Sequence, residues 1–171
     1  MDGTLAALFL IAGLTDMGIN HCGDGGCLAQ SPETERFSIS AGDVDFQKAT
    51  VSKELYLRYD FGRRYGPFQP VAGASLTADG TAWIGIGAAW TQRFAGDRAY
   101  VQLALMPGLY SQGSGPDLGH AVQFRSGVEV GYETSKGVRF GLSYDHRSNA
   151  ELSGVNPGME TVQFRVSIPV K

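Results

Sequence analysis

The sequence has no unbroken run of about 18 apolar residues, so no segment is expected to cross a bilayer as a purely apolar helix. It also lacks an excess of positive charge: 14 Lys and Arg stand against 17 Asp and Glu, a net charge of -3. Nucleic acid as a partner would require a basic stripe to neutralise phosphates, and none is available. Cysteine is scarce, with only Cys22 and Cys27, and histidine occurs three times. Cys22, Cys27 and His21 lack a fourth ligand and a second paired motif, so no metal is expected. The two cysteines flank the segment GDGG, which favours a small disulfide loop in an oxidising compartment over two free thiols.

Glycine is abundant, at 24 residues, and aromatics make up 11% of the 171-residue chain. Glycine at this level, without low complexity, suits tight turns and close strand contacts. From about Glu35 onward the chain divides into eight alternating segments, near 35–46, 49–61, 68–77, 81–94, 98–110, 120–134, 137–148 and 159–170. The separators carry turn chemistry, as in Gly66-Pro67, Asp79-Gly80, Gly96-Asp97, Lys136-Gly137 and Asn156-Pro157-Gly158. Two parts follow: an N-terminal segment, 1–34, and a β unit, 35–171. Leu5 to Leu14 is the longest apolar run of the first part, and it reads either as the remnant of an export signal or as a short helix.

An even number of sequentially connected strands predicts an all-β fold, an eight-stranded antiparallel up-and-down barrel. In the seventh strand one face is Val138, Phe140, Leu142, Tyr144 and the other Arg139, Gly141, Ser143, Asp145. In the eighth, Val162, Phe164, Val166, Ile168 oppose Thr161, Gln163, Arg165, Ser167. A soluble barrel would put the apolar face inside, as in a lipocalin-like carrier with Phe124, Phe140 and Phe164 around an apolar ligand. A transmembrane barrel inverts the pattern, with charges paired in a narrow lumen and the apolar face in lipid. Two features favour the inverted arrangement. Glycines accompany the charges on the polar face, as a crowded lumen requires. The predicted connections also divide into short turns on one rim and two long loops on the other.

Extending the apolar face of the seventh strand adds His146 and Ser148, and the eighth strand's apolar face begins at Glu160. Period-two geometry makes His146 and Ser148 co-facial, and antiparallel pairing brings Glu160 alongside. A serine hydroxyl becomes nucleophilic when an imidazole accepts its proton, and the imidazole needs an acceptor on its other nitrogen. The plain alternative is a non-enzymatic barrel, structural or adhesive, with three ordinary rim residues. Asp145 and Arg147 fall on the polar face and read as a charge pair, Ser143 as structural, and His21 and His120 as loop residues.

The stretch His146-Arg147-Ser148-Asn149-Ala150, followed by Asn156-Pro157-Gly158-Met159-Glu160, resembles the signature of the lipid A 3-O-deacylase family. The resemblance covers about 25 residues, in which an H-x-S-N motif precedes N-P-G-x-E on the last hairpin. It implies an outer-membrane serine esterase acting on the 3-O-linked acyl ester of lipid A in lipopolysaccharide, with no cofactor. By the same resemblance Ser148 is the nucleophile, His146 the general base and Glu160 its orienting partner. Asn156 would donate to the oxyanion with a backbone N–H of 149–152, and Asn149 and Gly158 would support the loop. The family often has glycine where this chain has Glu151. The expected partners are lipopolysaccharide and the outer membrane, with a homodimer left open.

Overall fold

The computed structural model describes residues 3–23 and 25–170. Eight long antiparallel strands form the wall: β2 (Arg36–Phe46), β3 (Ala49–Asp60), β5 (Phe68–Thr77), β6 (Ala82–Phe94), β7 (Ala99–Ser111), β8 (Val122–Glu133), β9 (Arg139–Ser148) and β10 (Met159–Pro169). Each pairs with its neighbours, β10 pairs with β2, and β5 with β6, which closes the ring. The fold is a closed eight-stranded antiparallel β-barrel. Two three-residue strands, β1 (Gln30–Pro32) and β4 (Arg63–Tyr65), form an appended pair beside β5.

The rim that carries Arg36 and Pro169, here the lower rim, has turns at 95–98 and 134–138 and the β4 segment at 61–67. The upper rim has tight turns at 47–48 and 78–81 and the two long loops, 112–121 and 149–158. The 47–48 turn places Gln47 and Lys48 at φ 51° and 68°, the left-handed pair that matches the twist of a hairpin.

Polarity is inverted as the glycines and charges suggested. Phe140, Leu142, Val162 and Phe164 are exposed on the outer wall, which excludes the carrier arrangement that needs Phe140 and Phe164 inside. The lumen is narrow and charged. Glu54 sits at its centre, 3.0 Å from Arg125, in contact with Arg147, and accepting from Gln163 Nε2 at 2.6 Å. Arg125 also donates to Asp145 at 2.8 Å, and its guanidinium lies 3.8 Å over the Tyr56 ring. Asp145 and Arg147 therefore both face the lumen, but not as partners of each other. Each finds its counter-charge on another strand, Asp145 with Arg125 and Arg147 with Glu54. A second network joins Glu129 to Arg165 and Tyr100. Gly141 makes room for it: a Cβ there would meet Glu129 Oε1 at 2.5 Å. This crowding is why glycine shares the polar face.

The N-terminal run is a helix, α1 (Thr4–Asp16), continued by a π-helical turn, Met17–His21. Together they form 18 helical residues of mean hydropathy 1.2, long and apolar enough by length and composition to cross a membrane. This corrects the expectation from unbroken apolar runs, because Gly, Thr, Asp and Asn interrupt the run without interrupting the helix. Lengthwise α1 covers about 20 Å at 1.5 Å per residue. It packs on the outer wall of β6, β7 and β8. The Phe9 ring lies 5.5 Å from that of Phe68, and Gly13 is needed there because a Cβ would overlap the Phe68 ring. Trp90 Nε1 donates to Asp16 at 2.9 Å. Beyond the helix Cys22 and Cys27 form a disulfide, and β1 ties the chain to β4.

Candidate active site

The outer face of the β8–β9–β10 segment carries the candidate residues near the upper rim. Strand register places His146 between Ser126 on β8 and Glu160 on β10, with Ser148 opposite Phe124. His146 points outward and yet is only 4% exposed, because the returning loop folds over it. Its Nδ1 lies 3.0 Å from Glu160 Oε1. With that carboxylate as acceptor, Nδ1 carries the proton and Nε2 is left as the basic nitrogen. Ser148 and His146 line one cavity of about 440 Å³ on the outer wall.

The loop after β9 is built to hold this pair. Gly158 adopts φ 73°, and a Cβ there would stand 2.8 Å from His146 Cε1. Glycine is required on both counts, for the left-handed backbone and for the space the imidazole occupies. Asn149 is fully buried, and the two N–H groups of its Nδ2 are shared among Leu118 O at 2.9 Å, Ser153 Oγ at 3.0 Å and Val155 O at 2.7 Å. It is a strut between the two long upper loops rather than a cap on its own turn. The Asn149 N–H donates to Asn156 Oδ1 at 3.0 Å, which pins the Asn156 amide with its Nδ2 available to donate. Leu152 N–H donates to Asn149 O at 3.1 Å. The N–H groups of Ala150 and Glu151 have no partner among the described residues, and of the loop residues in that state these two follow Ser148 most closely in the chain and both line the cavity. They adopt φ 51° and 64°. The left-handed backbone at Glu151 accounts for glycine being common there in the family that the motif resembles.

Of the sequence-derived residues, His146, Ser148, Asn156 and Gly158 line the cavity, Glu160 meets the imidazole at its edge, and Asn149 stands behind it. His120 lies apart in its loop, where Nδ1 accepts from Val122 N–H at 3.0 Å, and His21 is at the far end of the N-terminal helix. No cluster of His, Cys, Asp and Glu among the described residues could hold a metal ion. Sequence reasoning missed Ser126, a buried outward hydroxyl opposite His146, although period-two alternation from Phe124 also reaches position 126. It missed Leu105, Gly3 at the N-cap of α1 and Ala6 within the helix as well, which complete the cavity wall. No local signal reports that contact, since it joins segments about a hundred residues apart.

A family model for lipid A 3-O-deacylase (PagL) matches residues 42–169. The lipid A deacylase PagL of Bordetella bronchiseptica is 29% identical over 131 residues, covering 70% of this chain and 74% of the relative. The crystal structure of the outer membrane enzyme PagL superposes with a TM-score of 0.65 at 21% identity, covering 79% of this chain and 99% of that one. Designed transmembrane β-barrels (TM-score 0.60, 8% identity, 82% and 98% covered) and Neisserial surface protein A (0.54, 10%, 82% and 99%) share the barrel. The family match runs from within β2 to the end of β10 and takes in His146, Ser148, Asn156 and Glu160, and this chain belongs to the lipid A 3-O-deacylase family of outer-membrane hydrolases.

Proposed function

We propose that the chain removes the 3-O-linked acyl chain of lipid A by a Ser148/His146/Glu160 mechanism on the lipid-facing side of the last hairpin. Family membership supplies the reaction class, an acyl ester hydrolysis. The observation that carries the residue assignment is the 3.0 Å bond from His146 Nδ1 to Glu160, made on the outer wall beside Ser148. Ser148 Oγ attacks the ester carbonyl while His146 Nε2 takes its proton. Glu160 holds the imidazole in the required tautomer and stabilises the imidazolium. The oxyanion that forms is met by Asn156 Nδ2 and by an N–H of Ala150 or Glu151. Collapse breaks the bond to the sugar oxygen, which leaves as the hydroxyl with the proton from His146. Water, deprotonated by the same imidazole, then releases the fatty acid and restores Ser148.

Placement on the outer wall suits the substrate. An acyl ester at the base of the sugar headgroup sits where lipid chains begin, so a site below the upper rim reaches it without drawing the lipid out of the bilayer. The test is mass spectrometry of lipid A after incubation with the purified protein and with Ser148→Ala. Loss of one hydroxyacyl chain with the parent alone is expected; equal loss with both would overturn the assignment of Ser148.

A further inference from the structure

We propose that α1 forms one wall of the acyl-chain site and that Ala6 is a specificity-determining residue for chain length. The inference rests on the reading of Ser148 as nucleophile, since the cavity that holds Ser148 and His146 is the one α1 borders.

Four observations carry it. The cavity is lined by Ala6 of α1 and its N-cap Gly3 on one side and by Leu105, Phe124 and the His146–Ser148 face on the other. The two charged or amide side chains of its lining, Glu151 and Asn156, both come from the 149–158 loop, where a sugar headgroup would lie. The β7–β8 side supplies Leu105 and Phe124 with one hydroxyl, Ser126, and with Ala6 makes the more apolar side, where a hydrocarbon chain would run. The helix is seated on the barrel by specific contacts. Leu103, an outward side chain of β7, is buried to 7% exposure, whereas Leu109 further along the same face is 60% exposed. The Phe9–Phe68 contact, the Trp90–Asp16 hydrogen bond and the Cys22–Cys27 loop then fix the rest of the segment. Finally, the α1 residues at the cavity are the small ones, while the larger Phe9 packs further down.

A helix lying beside the nucleophile covers the middle of β7 around Leu103 but leaves the β9–β10 wall, with Phe140, Leu142 and Phe164, open to lipid. The substrate thus enters from the β9–β10 side, and its acyl chain is confined between Ala6 and the Leu105–Phe124 surface. A larger side chain at position 6 narrows that lane and shortens the chain that fits. In an apolar pocket one methylene in excess changes kcat/KM by about 10–200-fold.

The test compares hydrolysis of p-nitrophenyl butyrate and p-nitrophenyl myristate by the full disulfide-bonded protein, its Ala6→Val and Ala6→Phe variants, and Ser148→Ala, each checked for an intact barrel by heat-modifiable gel migration. The expected result is a graded fall in the ratio of myristate to butyrate kcat/KM, reaching about tenfold or more with Ala6→Phe. An unchanged ratio, or an equal loss on both esters, would overturn the proposal. So would intact mass spectrometry of the membrane-purified protein showing a chain that starts after His21. Ser148→Ala keeps the two readings separable: hydrolysis there at the parental rate refutes the nucleophile, while the chain-length ratio still reports on the wall.

Discussion

Replacing Gly158 with alanine perturbs the site without touching a reacting group. The new Cβ would stand 2.8 Å from His146 Cε1, where carbon contacts normally begin near 3.5 Å. The imidazole must therefore move by several tenths of an ångström, or the loop must lift. The left-handed backbone adds about 1–2 kcal/mol of strain for any residue with a Cβ. Because His146 is held between Glu160 and Ser126 in strand register, the ring has little room to shift without lengthening its 3.0 Å bond to Glu160. Misplacement of a catalytic group by about 1 Å costs about 10²-fold in rate, and a smaller shift costs correspondingly less. The expected loss in kcat is about 10- to 100-fold on a short-chain ester, with KM little changed and the barrel still resistant to urea. A Gly158→Ala protein with parental kcat would refute the view that this glycine seats the imidazole.

The remaining predictions concern the same hairpin and the lumen beneath it. Glu160→Gln keeps the shape but removes the charge that orients His146, and kcat should fall by up to about 10⁴-fold in steady-state ester hydrolysis. Asn156→Ala removes a candidate oxyanion donor and also the acceptor of the Asn149 N–H, so kcat should fall by about 10²–10³. Asn156→Asp, which retains the acceptor, should be equally slow if donation is what matters. Glu54→Ala strips the shared counter-charge from Arg125 and Arg147 and should cost about 3–5 kcal/mol in equilibrium unfolding from detergent.

The barrel was legible in the sequence because alternation is a local signal: each strand declares its two faces in its own residues. The choice of which face meets lipid was legible too, since charged residues and glycines alternate with Phe140, Leu142 and Phe164 rather than lying in a separate stretch. The juxtaposition of His146, Ser148 and Glu160 followed from spacing, because two steps along one strand and one step across a hairpin are fixed distances. What stayed hidden depends on where strands far apart in the chain come to face each other. Glu54 meets Arg125 and Arg147 across the lumen, and no local pattern reports that partnership. Asn149 was expected to support its own loop, but its amide spans two loops that meet only after the barrel closes. The helix at Thr4–Asp16 was visible as an apolar run, yet its seat on β6–β8 was not. An outer barrel wall built for lipid presents the same apolar surface whether a helix or acyl chains will cover it.

The most direct test of the central claim is to trap the nucleophile. The protein in detergent is treated with an alkyl fluorophosphonate, digested and mapped by tandem mass spectrometry. A single adduct on Ser148, abolished in parallel with ester hydrolysis by Glu160→Gln and by His146→Ala, is the predicted result. An adduct on Ser126, the second hydroxyl beside His146, or full hydrolysis with no adduct at all, would contradict it.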